Sequence, residues 1–426
     1  MTDTPRVLSE FLWGASVAGH QVEGGNTNSD TWFLENVEPT VFAEPSGAAC
    51  NSWELWETDL DLVAALGLNA FRFSTEWARI EPEEGVFDEE ALAHYERMVD
   101  GCLARGIAPV ITFSHFTLPH WVAARGAWLD PEVPDLFARF CGVVAERLGD
   151  RVAAVVTLNE PNLPRLLSWI LPEEVHEASR ATLEAASRAA GVQAYRTGNV
   201  MIPDDYEGMQ AGMTAGHRAA VAAVRAIRAD LPVGLSIAMV DDIALAGGES
   251  IRDRKRAEIY DHWLDLARDD DFIGVQNYEQ LVYGPDGEVE PTNGGLRNQL
   301  GQPIAPASLR GAAAYAHERS GKPVLITEHG VSTTDDSVRE EFLEASIDDM
   351  LKAVDEGAPI IGYLHWSLID NFEWIFGYGP RFGLHEFDRD TFVRTPKPSA
   401  LRYAAVVRSN PDPLAIRADG PETASR

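Results

Sequence analysis

The sequence predicts an α/β fold, a single (β/α)8 TIM barrel with its active site at the C-terminal ends of the strands. Three observations predict it. Short apolar runs rich in β-branched and aromatic residues recur along the 426 residues, each followed by a longer amphipathic stretch. The runs are continuously apolar, which suits strands covered on both faces, as in a parallel sheet wrapped by helices. The rival architecture, an open doubly wound sheet, lacks its marker: no Gly-x-Gly-x-x-Gly follows the first run.

In chain order, the strand candidates are 11–18, 69–74, 109–114, 153–158, 233–239, 272–278, 323–327 and 360–367. Helical stretches alternate with them. Over 55–66, Leu55, Leu62, Val63 and Leu66 fall on one face, and Gly67 follows as a stop. Over 88–105, Leu92, Tyr95, Met98, Val99 and Leu103 do the same, ending at Gly106. Stretches 135–148, 213–228, 251–266, 306–319 and 338–356 repeat the pattern. One segment breaks the rhythm. Residues 162–207, between the fourth strand and its helix, hold an Ala-rich helical piece over 172–190, then Gly-Asn and Pro-Asp-Asp turn signals. An insertion of that length at that end of a barrel is expected to shape a site. No low-complexity linker divides the chain, so 1–426 reads as one domain with flexible tails at about 1–9 and 416–426.

Composition narrows the function. The chain carries 67 acidic and 35 basic residues, a net charge of -32. A field of that sign repels phosphate backbones and anionic lipid, which argues against nucleic-acid and membrane-surface partners. Cys50, Cys102 and Cys141 are an odd number with no metal-ligand spacing, and read as small apolar filler in a reducing compartment. Residues 1–10 show no basic-then-apolar signal pattern, and no apolar run has the length of a membrane span. A cytoplasmic location is expected.

Two glutamates stand where apolar runs give way to loops: Glu160 in Asn159-Glu160-Pro161 and Glu328 in Thr327-Glu328-His329-Gly330. Singly, each reads equally well as a strand-end carboxylate in a surface ion pair. On the fourth and seventh strands of one barrel, they can face each other across a pocket. Two carboxyl groups suit cleavage of a glycosidic bond, one protonating the leaving oxygen and the other serving the anomeric carbon. A separation of about 5–5.5 Å retains configuration and one of about 6.5–9.5 Å inverts it. One carboxyl must be protonated and the other charged, which calls for a nearby cation. Arg72, amid apolar barrel residues, is the candidate to hold Glu328 charged; a structural ion pair elsewhere is the other reading. Sugars also need planar polar groups and aromatic faces. Gln21 and Glu23 follow the first strand, His115 the third, Asn159 precedes Glu160, Tyr278 ends the sixth, and Trp366, Glu373 and Trp374 follow the eighth. A metal-dependent barrel hydrolase is the less favoured class, since no His-x-His stands at a strand end. A sugar-binding barrel without catalysis is a further alternative.

Read together, these stretches resemble glycoside hydrolase family 1, the β-glucosidase family, over nearly the whole chain. The carrying motifs are Phe11-Leu12-Trp13-Gly14-Ala15-Ser16 through Gln21-Val22-Glu23-Gly24, Asn51-Ser52-Trp53-Glu54, 71–82, His115-Phe116-Thr117-Leu118-Pro119, Asn159-Glu160-Pro161, Thr327-Glu328, 362–384 and 395–403. The resemblance implies a retaining exo-β-glycosidase without metal or cofactor, most simply a β-glucosidase, with β-galactosidase or β-fucosidase as alternatives. It implies Glu160 as acid/base, Glu328 as nucleophile, and Arg72 and Tyr278 touching the nucleophile. Asn159 would hold the sugar 2-hydroxyl, Gln21, His115, Glu373 and Trp374 the other hydroxyls, and Trp366 the ring face. Glu373-Trp374 looks like the branch taking unphosphorylated sugars. The partner is a small-molecule β-glycoside, and the chain is read as a monomer or a homo-oligomer. Phe116 stands where Trp is commoner, Gln276 where Asn is usual, Asn277 where Tyr is, and His329 where Asn is. This alignment is ungapped and keeps the strand register; a shifted one would put Glu279 at the tyrosine position.

Overall fold

In the computed structural model, which describes residues 10–290 and 295–414, eight parallel strands close into a barrel. The tails read as flexible lie outside that range. The strands are β1 (Leu12–Ser16), β2 (Ala70–Ser74), β3 (Ala108–Ser114), β4 (Ala154–Asn159), β5 (Val233–Ala238), β6 (Phe272–Asn277), β7 (Val324–His329) and β8 (Ile360–Trp366). The ring closes where β1 pairs with β8, Leu12 opposite Gly362. All eight fall within the apolar runs or a residue or two of them.

The barrel interior is small and apolar at its floor: Leu12, Ala70, Val110, Val156, Phe272 and Leu325 pack together from strands around the ring. Side chains alternate along a strand. On β2, Phe71 and Phe73 join the larger core between strands and helices, so Ala70 and Arg72 point into the barrel. That alternation is why a charged residue sits at the barrel's centre.

Helices α1 (Ser52–Ala65), α2 (Glu89–Ala104), α3 (Val133–Leu148), α4 (Tyr206–Ile227), α5 (Glu249–Ile259), α6 (Asp261–Leu266), α7 (Ser308–Ser320), α8 (Asp336–Asp355) and α9 (Pro398–Ser409) form the outer layer. Asp88 caps α2, its carboxylate accepting from the amides of Glu90 and Ala91. Two expectations need correction, and one helix was not expected. The stretch 251–266 is two helices, broken at Tyr260, whose buried hydroxyl hydrogen-bonds the Val240 amide. Helix α4 begins at Tyr206, because the Pro-Asp-Asp signal is a single 3-10 turn leading straight into it. Helix α9 closes the ring, yet its stripe of Ala400, Tyr403, Ala404 and Val407 is blurred in sequence by the exposed Leu401. The Tyr403 hydroxyl donates to the Gly14 carbonyl at 2.8 Å, which fastens α9 to β1.

The insertion after β4 holds two helices, Leu163–Ile170 and Glu173–Ala190, the second matching the expected 172–190. Asp30 ties it to the loop after β3, accepting from the amides of Leu118 and Gly198. A three-stranded sheet of Asp241–Ala244, Gln280–Gly284 and Gly287–Glu288 follows β5 and β6. Its strands are too short to read from periodicity. Among the described residues, no helix is long and apolar enough to cross a membrane.

Candidate active site

Two strands lose register just before their glutamates. Between β4 and β5, Val156 pairs with Gly234 but Asn159 with Ser236; between β7 and β6, Ile326 pairs with Val275 but Glu328 with Gln276. In each case the glutamate-bearing strand carries one extra residue. Such bulges bend a strand and re-aim the side chains that follow. Glu160 adopts φ 43°, a left-handed backbone that a non-glycine residue takes only when its surroundings enforce it. Its amide donates to the Ser236 carbonyl at 2.8 Å, which holds that turn. After Glu328, Gly330 passes so close to β8 that a Cβ there would lie 2.1 Å from the Trp366 carbonyl oxygen.

Both glutamates open on one cavity of ≈340 Å³. Gln21, His115, Tyr278, Trp366, Glu373 and Trp374 line it as well. Arg72 and Asn159 are buried beside it, Arg72 bonded to Glu328 and Asn159 to Arg72 and Gln276. The Glu328 carboxylate accepts from Arg72 Nη1 at 2.6 Å and Gln276 Nε2 at 2.8 Å on one oxygen, and from the Tyr278 hydroxyl at 2.5 Å on the other. Arg72 also donates through Nη2 to Asn159 Oδ1 at 2.5 Å and through Nε to Thr112 Oγ1 at 2.9 Å. One guanidinium therefore positions Glu328 and the residue beside Glu160 together.

The contact between Tyr278 and Glu328 selects the ungapped register of β6. Asn277 points away from the cavity, donating to the Met239 carbonyl and accepting from Ser308. His329 lies opposite it in register, with Nδ1 2.6 Å from the Asn277 carbonyl oxygen, and stacks on Phe342. The two departures thus lie against each other outside the cavity. Phe116 lines it, at φ 68°, edge-on to Trp374. Glu23 is not brought to the site: its carboxylate is turned onto Arg79 Nε at 2.7 Å and the Tyr95 hydroxyl at 2.9 Å.

Burial raises the proton affinity of both central glutamates, by opposing the charged form. For Glu160 the charge of Glu328 adds to burial and carries the carboxyl well above its ordinary range. For Glu328 the Arg72 guanidinium and the Tyr278 hydroxyl pull back. Burial also takes Glu373 up to about 8, and it pushes His115 well below its usual value, leaving a neutral imidazole at pH 7. Five buried polar atoms around the inner cavity, Gln21 Oε1, His115 Nδ1, Asn159 Nδ2, Gln276 Oε1 and Glu373 Oε1, have no protein partner. Buried polar atoms are satisfied as a rule, so this set suits a ligand rich in hydroxyls. His115 stacks against Trp366 at 5.8 Å and Trp374 at 6.1 Å.

One residue of the site went unread in the sequence. Gln276 stood out only as a departure, yet its Nε2 donates to both Glu328 and Asn159. The insertion, expected to shape the site, supplies a wall from Leu163 to Val175; its first helix went unread, and the signal was the apolar spacing of Leu163, Leu166, Leu167 and Ile170. Among the described residues, no three His, Cys, Asp or Glu side chains gather as metal ligands.

The family model of glycosyl hydrolase family 1 matches residues 4–229 and 271–411. β-Glucosidase A of Thermotoga maritima is 30% identical over 94% of this chain and 97% of its own length. Among solved structures, a β-glycosidase, BGL167, superposes with a TM-score of 0.87 at 41% identity, covering 98% of both chains. A β-glucosidase, 1317, does so with a TM-score of 0.89 at 38% identity, covering 94% of this chain and 98% of that one. With the barrel, the paired glutamates and these likenesses in hand, the chain belongs to glycosyl hydrolase family 1.

Proposed function

We propose that the chain is a retaining exo-β-glucosidase that releases the terminal non-reducing β-D-glucosyl residue by double displacement. The observation that carries this reading is the shared cavity, where two glutamates stand in unequal surroundings. Glu328, held ionised by Arg72 and Tyr278, attacks the anomeric carbon as Glu160 gives its proton to the departing oxygen. The glycosyl ester that forms cancels the charge of Glu328. That charge is one of the causes raising the proton affinity of Glu160, so Glu160 becomes the stronger acid and, ionised, takes a proton from the incoming water. Water then attacks the same carbon from the opposite side to Glu328, and the second inversion restores the β configuration.

Asn159 Nδ2, free of protein partners, is offered to the 2-hydroxyl. Gln21, His115, Glu373 and Trp374 take the other hydroxyls, and Trp366 supports the ring face. The acidic surface and the three buried, unpaired cysteines support a cytoplasmic, single-domain enzyme acting on a small neutral glycoside. The test is proton NMR of the first turnovers of an aryl β-D-glucoside: β-glucose appears before mutarotation, and initial α-glucose overturns the mechanism. Kinetics on aryl β-glycosides differing only in the sugar test the preference for glucose over galactose and fucose.

A further inference from the structure

The cavity changes character along its length. Around Glu160 and Glu328 its wall is polar and aromatic. Beyond them it is built largely by the insertion after β4. The helix Leu163–Ile170 sets Leu163, Leu166, Leu167 and Ile170 at i, i+3, i+4 and i+7, and Leu171 and Val175 continue the surface; all six line the cavity. An amphipathic helix ordinarily turns such a stripe onto the core. Here only Leu166 is buried, and the other five are half-buried. Leu300 and Phe376, which line the same cavity, are 36% and 46% exposed. Apolar side chains gathered at the mouth of a reaction site mark a surface that a ligand covers. The polar lining residues on this side are scattered at its edges: His176 and Ser179 on the second insertion helix, Asn199, Glu279, and Asn298 with Gln302. A second sugar could meet Asn199, Glu279 or Gln302 at the edges, but the hydroxyls it set against the face of Leu163, Leu167, Ile170 and Leu171 would lose water without gaining a partner.

We infer that the group cleaved from glucose is apolar, an aryl or extended alkyl aglycone rather than a second sugar, and that the insertion after β4 selects it. This rests on the β-glucosidase reading and adds the other half of the substrate. The chemistry follows from burial: each methylene of the aglycone that leaves water against this wall strengthens binding without touching the glucose half of the site.

The test uses inhibition of 4-nitrophenyl β-D-glucoside hydrolysis by methyl, phenyl and octyl 1-thio-β-D-glucosides and by thiocellobiose, which share the glucose and resist cleavage. The octyl or phenyl compound binds at least about 30-fold more tightly than the methyl compound, and more tightly than thiocellobiose. Comparison of octyl with phenyl tells a chain from a ring. In Leu167→Asn and Ile170→Asn, both on a half-buried surface helix, that ratio falls below about fivefold. Equal inhibition by methyl, phenyl and octyl compounds, or tightest binding of thiocellobiose, overturns the inference with the reaction intact. Should the nitrophenyl glucoside go uncleaved, calorimetric titration of the same compounds still decides the subsite, and the reaction assignment alone fails.

Discussion

At the Glu328 carboxylate three donors converge, from Arg72, Gln276 and Tyr278, while the carboxyl of Glu160 shares its buried cavity with the negative charge of Glu328. With the roles proposed above, Glu328→Gln removes the nucleophile and lowers kcat by roughly 10⁶-fold, as loss of a nucleophile does in a covalent serine enzyme; stopped assays with an aryl glucoside measure it. Glu160→Ala lowers kcat/KM by roughly 10³-fold for an alkyl glucoside, which needs the proton. It lowers it far less for 2,4-dinitrophenyl glucoside, whose leaving group needs none. The pH profile carries the signs. Glu160 works protonated and its proton affinity is raised, so activity falls on the alkaline side as it ionises; Glu160→Gln abolishes that limb. Glu328 works ionised, so activity falls on the acid side as it gains a proton. Gln276→Ala deletes one donor to the ionised form, which raises the proton affinity of Glu328 and moves the acid limb to higher pH. A hydrogen bond to a charged group contributes about 1.5–3 kcal/mol, so kcat/KM at neutral pH drops by about 10- to 150-fold. An acid limb that stays in place assigns Gln276 to Asn159 alone.

At the scale of elements, strand ends place the chemistry and loops finish it. Asp30 shows how much rests on one residue: its carboxylate accepts from the amides of Thr31, Leu118 and Gly198, joining three segments around the site. Asp30→Ala leaves the Leu118 and Gly198 amides without that acceptor, at about 1–3 kcal/mol each. Limited proteolysis within 160–200 becomes faster, and a cleavage rate equal to the parent's shows that the insertion is held elsewhere. The strands were legible because burial on both faces leaves an unbroken apolar run, and that pattern does not depend on distant contacts. The glutamates were legible as strand-end residues for the same reason. The bulges that aim them were not, because an extra residue shows only against the partner strand. Glu23 looked like a ligand-facing group by its place after β1, yet its side chain leaves on the side of Arg79, a direction set by the helical turn Gly19–Val22. Helix α9 was hidden by one exposed leucine in its stripe. The partnership of Asn277 with His329 was invisible because the two lie in register only once β6 and β7 pair.

On the scale of the whole molecule, a net charge of -32 sets long-range repulsion against local attraction. Many basic side chains are already engaged: Arg125 with Glu84, Asp130 and Glu132, and Arg151 with Glu96, Asp100 and Asp150. Salt acts on both effects, and their ranges decide which dominates. The partners in such pairs touch, within far less than a Debye length, and exposed pairs contribute only about 0–1 kcal/mol each, so screening removes little. The surplus acidic groups repel one another over tens of ångströms, and the Debye length shrinks from about 30 Å at 0.01 M salt to about 10 Å at 0.1 M. Repulsion across the surface is therefore relieved first, and it opposes the compact state. Raising potassium chloride from 0.01 to 0.15 M should raise Tm, and a gain of about 1 kcal/mol corresponds to a shift of about 2 °C or somewhat less in a chain longer than 250 residues. Calorimetry at fixed pH measures it. A Tm that falls over this range means that the arginine clusters, rather than the net charge, dominate the electrostatic stability of the barrel.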